Sequence, residues 1–174
     1  MSPIQADSTW RTVTGTHLAT PIKVKVPPEL EDQLQELSPQ QAILVIAPRG
    51  VSGATLQLGM DSIQGPTDFS KALTSDQATV TKPSESTQTF AGRSATLWCA
   101  ELVEEVPRHM VAGGPDEGDH PASTVRSLVQ SYYVELPNGV FRATYRIEQP
   151  QVDKWAPVFD AVLATLQWRA PQPP

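Results

Sequence analysis

The sequence predicts an α+β domain, an antiparallel sheet flanked by helices. Three observations carry that expectation. Several segments alternate apolar and polar residues with a period of two, an Asn-Gly pair separates two of them, and the chain closes on one stretch with helical periodicity. A sheet made of hairpins has an apolar face to bury, and a closing helix with a single apolar stripe is suited to cover it.

The first fifteen residues are polar and show no sustained period, so 1–15 reads as a flexible N-terminal segment. A single domain is expected over 16–169, with a disordered Pro-rich tail over 170–174. Ile22, Val24 and Val26 alternate with Lys23 and Lys25, a half-buried strand stopped by Pro27-Pro28. Leu30, Leu34 and Leu37 then fall at helical spacing. The apolar run Ala42–Ala47, closed by Pro48-Arg-Gly50, predicts a buried strand, and Leu56, Leu58 and Met60 alternate through the next. Asp68 stands where an N-cap would, ahead of Phe69, Ala72 and Leu73. Residues 81–87 are rich in turn formers and predict a connection, before a long strand over Ser94–Val103. Strands follow at Val125–Leu136 and Val140–Glu148, joined by Pro137-Asn-Gly139, whose Asn-Gly accepts the positive φ of a tight hairpin. In the last element Asp153 is placed to cap and Pro157 falls in the expected first turn. Trp155, Val158, Phe159, Val162 and Leu166 form one stripe.

Composition excludes several functions. Thirteen basic against nineteen acidic residues give a net charge of -6, which disfavours nucleic-acid and anionic-membrane surfaces. One cysteine rules out an internal disulfide framework. The N-terminus has neither basic nor apolar signal regions, and no run is long enough to span a membrane, so membrane insertion is not expected and a cytoplasmic location is. Seventeen prolines in 174 residues is about twice the usual share, and most of them punctuate strand ends.

The stretches Phe90-Ala-Gly-Arg-Ser-Ala95, Arg126–Val134, Leu136–Ile147 and the Trp155–Leu166 helix resemble the ending of the PsbP-like superfamily: small turn, long strand, hairpin, closing helix. Asp68–Leu73 is similar to the helix before it. The superfamily includes PsbP, a Ran-binding import factor, DcrB-type proteins, secretion-effector chaperones and LpqN-type lipoproteins. The resemblance implies a PsbP-like α/β/α sandwich and a binding role, as adaptor, chaperone or complex subunit. The chain lacks a lipobox cysteine, since Cys99 sits mid-strand.

Catalytic motifs are few. Gly50-Val-Ser-Gly53 lacks nucleophile-elbow spacing, and no phosphate-cradling loop occurs. Cys99, flanked by Trp98, Ala100 and Leu102, reads as a small interior hydrophobe. The one polar constellation is the connection 107–123, where His109 and His120 bracket Asp116, Glu117 and Asp119. Its donors suit zinc or nickel chemically, but the spacing matches no tight ligand set, so no metal and no cofactor are expected. A connection of that length is a place to grip a partner. Arg142 and Arg146 share one strand face with Thr144 and Glu148, and on an open face they could grip a carboxylate or phosphate. Trp98, Tyr132, Tyr133 and Trp155 could line an apolar pocket. The expectation is a non-enzymatic binding module for another protein, using a sheet face or the 107–123 connection through His109, Asp116, Glu117, Asp119, His120, Arg142 and Arg146. A carrier of a small apolar ligand between sheet and helices, and a metal-assisted enzyme built on the two histidines, are the alternatives.

Overall fold

A computed structural model describes residues 4–15, 22–38, 41–61, 63–106, 123–137 and 139–168. Their period-two segments form two antiparallel sheets. The smaller has the order β1-β2-β10, from Arg11–Gly15, Ile22–Val26 and Gln167–Trp168. The larger has the order β3-β4-β5-β9-β8-β7-β6. Its strands are Leu30–Ser38 (β3), Gln41–Pro48 (β4), Ala54–Met60 (β5), Ala78–Phe90 (β6), Arg93–Val106 (β7), Ser123–Leu136 (β8) and Gly139–Glu148 (β9). Among the described residues there are two α-helices, α1 over Pro66–Leu73 and α2 over Val152–Ala164.

Two hairpin units meet where β5 pairs with β9, placing Leu56 opposite Tyr145 and Leu58 opposite Ala143. On this side of the sheet α2 and the small sheet cover Leu44, Ile46, Leu56, Leu58, Phe141 and Ile147. Trp155, Val158, Phe159 and Val162 of the helical stripe all point into this core, as their spacing predicts. Phe141 and Phe159 are fully buried, each stabilising the fold by about 1.5–3 kcal/mol. On the opposite side the shorter α1 packs Phe69 edge-on against Trp98, ring centroids 5.7 Å apart, over Ala100, Leu102, Val129 and Tyr133. Trp168 of β10 ties the two sheets, its indole N–H donating to the Ala91 carbonyl (3.0 Å) and its ring meeting Phe90 and Phe141.

Several elements differ from expectation for identifiable reasons. Leu30–Ser38 is a strand, not a helix: Leu30 and Leu34 lie four apart, which puts them on one face under either period, and pairing with β4 decides between them. Residues 81–87 belong to strand β6. Lys82 adopts φ 52° in an irregularity between Thr81 and Ser84, and Pro83 is tolerated because β6 is an edge strand needing no donor on its outer side. Arg11–Gly15, within the segment expected to be loose, forms β1 against β2. Helix α1 begins at Pro66, so Asp68 lies in its first turn and accepts the Gln64 backbone N–H at 3.1 Å. Helix α2 begins at Val152 after a 3-10 turn, which moves Asp153 into the first turn and Pro157 into the second, on the exposed face. Among the described residues no helix is long and apolar enough to cross a membrane.

Candidate functional site

Helix α2 crosses the sheet over β9, with the Phe159 ring 5.8 Å from that of Tyr145. Register then fixes which side chains continue that face outward. Tyr145 lies opposite Gln130 and Ala143 opposite Tyr132; Gln130 lies opposite Cys99, Tyr132 opposite Leu97, and Leu97 opposite Ser86. This row across β8, β7 and β6 forms a shelf beside α2, about as wide as one helix. Leu97, Cys99, Leu128 and Tyr132 are half-buried on it, and Ser84, Ser86 and Gln88 are exposed at its outer rim.

Where the shelf meets α2, a groove of about 400 Å³ is lined by Phe90, Gln130, Tyr132, Asp160 and Leu163, among others. The Phe90 and Tyr132 rings stack at 4.7 Å and form its floor. Asp160 stands at the mouth, its Oδ1 accepting the Tyr145 hydroxyl at 3.1 Å. Gln130 is a second hydrogen-bond partner of this carboxyl. Burial raises the Asp160 carboxyl above its ordinary value, and the two hydrogen bonds oppose that shift. Burial first, and the Asp160 charge second, push the Tyr145 phenol well above its usual range, so it stays a neutral donor. The same two causes raise the Cys99 thiol, whose S–H donates to Gln130 Oε1 at 3.7 Å. A thiol held protonated is a poor nucleophile. The groove therefore offers an oriented carboxylate beside a stacked aromatic pair, a combination suited to a cation on an apolar stem.

A carboxyl raised on folding adds stability only while protonated: the gain is present below the unfolded value of 3.8 and lost as pH rises through the folded value. Asp160→Asn is accordingly expected to leave stability at about pH 7 unchanged or higher, with the difference from wild type shrinking toward about pH 4. Urea unfolding at both pH values measures it.

The sequence-predicted residues are placed as follows. His109, Asp116, Glu117, Asp119 and His120 lie outside the described residues. Arg142 and Arg146 do share a face, the one under α1, but for Arg142 that face is not open. It is 6 % exposed, ion-paired to Asp61 at 2.5 Å, donates to Thr144 at 2.9 Å and lies 4.7 Å from the Phe69 ring centroid. Arg146 stays partly exposed and pairs with Glu104, while the charge of Glu148 on the same face also acts on it. The four aromatic residues split between faces, Trp98 and Tyr133 under α1, Tyr132 and Trp155 toward α2. Cys99 faces the shelf, away from Trp98, Ala100 and Leu102. Among the described residues no three His, Cys, Asp or Glu side chains form a metal-binding group. Asp160, Tyr145 and Gln130 were missed. The available signal was Gln130, a polar residue in the otherwise apolar row Leu128, Tyr132, Val134.

No protein-family model matches the chain. No curated protein matches it either. Among solved structures, the solution structure of cyanobacterial PsbP (CyanoP) from Synechocystis sp. PCC 6803 is similar, with a TM-score of 0.53 and 11% sequence identity over 94% of this chain and 95% of that one. Identity that low speaks for architecture and not for activity. The chain has the PsbP-like fold, an α+β architecture of antiparallel sheet and helices.

Proposed function

We propose that this protein is a non-enzymatic binding module for another protein, an adaptor or chaperone, and that it binds through the shelf formed by β6, β7 and β8 beside α2. The observation that supports this reading most is the half-covered sheet. Helix α2 and the small sheet seal one half of the face, while the other half leaves Leu97, Leu128 and Tyr132 half-buried around an oriented carboxylate. Half-buried apolar side chains rimmed by polar ones mark surfaces that another chain completes.

Charge favours a basic partner. The chain carries a net charge of -6, and Asp160 at the groove mouth would meet a lysine or arginine whose stem lies on Tyr132 and Phe90. The small-ligand alternative gains no support between sheet and α2, where Phe141, Ile147, Phe159 and Val162 fill the space.

Affinity capture from the native host tests the proposal, using wild type and the surface variants Leu97→Lys and Asp160→Lys. One protein should be retained by wild type and reduced about tenfold or more by each variant, a loss of roughly 1.4 kcal/mol. Equal retention by all three, with thermal unfolding confirming that the variants are folded, contradicts it.

A further inference from the structure

We infer that the free edge of β6, over Ser84–Phe90, pairs antiparallel with the same edge of a second copy of this chain, about a two-fold axis through Thr87. An edge strand exposes alternating N–H and C=O groups that pair readily with another strand unless something blocks them. Among the described residues the large sheet has two edges, β3 and β6. The β3 edge is guarded at both ends and by charge: Arg11 donates to the Leu30 carbonyl at 2.7 Å and to Asp32, the pairing shifts register between Glu36 and Ser38, and the strand carries Glu31, Asp32 and Glu36, like charges that oppose pairing with its own copy. The first half of β6 is blocked too, by the irregular Thr81–Ser84 segment with Lys82 at positive φ and by Pro83. From Ser84 to Phe90 the strand runs in unbroken register with β7, with no lysine, proline or bulge. The protection stops partway along a single strand.

The unprotected half is self-complementary. In an antiparallel pair centred on Thr87, Thr87 meets Thr87, Ser86 meets Gln88, Glu85 meets Thr89 and Ser84 meets Phe90. The one charge in the segment, Glu85, faces a threonine and not its own copy. Thr–Thr is a favourable cross-strand pair. Thr87 also lines a depression of about 590 Å³ on the α1 side, so there is open space beside the axis on that face. Thr87 points away from the shelf, since Ser86 is the residue in register with Leu97 on the shelf side. A strand added here extends the sheet in its own plane at the rim formed by Ser84, Ser86 and Gln88 and does not lie over Leu97, Cys99 or Tyr132, and the oligomeric state of the purified chain is read separately from partner capture.

Seven residues a side make a small interface, so association belongs to the weak end of the affinity range. Sedimentation velocity of the full chain, from about 10 µM to about 1 mM, spans that range. Wild-type mass should rise from 18.9 kDa toward twice that value with concentration. Thr87→Lys and Thr87→Glu, each placing like charges on the axis, should remain monomeric throughout. Mixing these two variants in equal amounts should restore dimers. A wild type that stays monomeric at the highest concentration overturns the inference, leaving the edge to other chains. So does a Thr87→Lys variant that dimerises like wild type, or a mixture that stays monomeric while wild type dimerises.

Discussion

Arg142→Ala is expected to cost about 3–5 kcal/mol of folding stability, the usual penalty for stripping one partner from a buried ion pair. Asp61 pairs with this guanidinium at 2.5 Å and is itself nearly enclosed, so its charge would be left without a counter-ion or enough water. The loss extends beyond charge. Thr144 accepts from Arg142 Nη1 and shares a 2.6 Å hydroxyl contact with Ser131, and the guanidinium plane covers Phe69 of α1. The arginine thus anchors α1 to the sheet. Arg142→Lys should recover little, because an ammonium reproduces neither the fork nor the planar contact. Adding Asp61→Ala to Arg142→Ala should recover part of the loss by removing the stranded charge. Urea unfolding of the three variants gives the values, and partner capture per folded molecule should not change.

Gly59→Ala is expected to destabilise by more than about 4 kcal/mol, in the range that signals a specific structural conflict. Gly59 has φ 152°, and a Cβ there would lie 2.3 Å from the Ala42 carbonyl oxygen and 2.9 Å from the Ile43 Cα. Both obstacles are backbone of β4, the strand paired with β5, so no rotamer change relieves them. The strands would have to part in the middle of the large sheet. Gly92→Ala makes an informative comparison: its φ is 81°, but nothing lies within 4 Å of its Cβ position. That substitution should therefore carry only the conformational cost, roughly 1–2 kcal/mol.

The parts of the fold legible in the sequence are those fixed by neighbours along the chain. The turn formers Pro137-Asn-Gly139 between two alternating segments mark the β8–β9 hairpin, although Gly139 pairs with Leu136 as the first residue of β9 and is not a central residue of the turn. The stripe from Trp155 to Val162 specifies both the helix and the face it buries. Ambiguity enters where one spacing serves two structures. Leu30 and Leu34 satisfy helix and strand alike, and only the presence of β4 beside them selects the strand. Lys82-Pro83 carries turn chemistry, and it does distort the backbone, but as an irregularity on an edge and not as a chain reversal.

The candidate site was less legible because its geometry is long-range. Period two correctly assigns Arg142 and Arg146 to one face. It cannot reveal that α1 and Asp61, some eighty residues earlier in the chain, close over Arg142. Asp160 sits on the exposed side of α2 and looks like any solvated helical acid until Tyr145 and Gln130, from two different strands, are brought beneath it. Only Gln130, breaking an apolar row, marked the position from sequence.

The central claim, that a partner protein covers the shelf beside α2, is tested most directly at Cys99. It is the one cysteine in the chain and lies half-buried on the shelf. Its alkylation rate in the folded protein can be compared with and without saturating partner, using mass spectrometry and a denatured control. Binding over the shelf predicts that labelling slows by about tenfold or more, as expected when a saturating partner keeps the thiol covered most of the time. An unchanged rate in a complex shown to be intact would contradict the account.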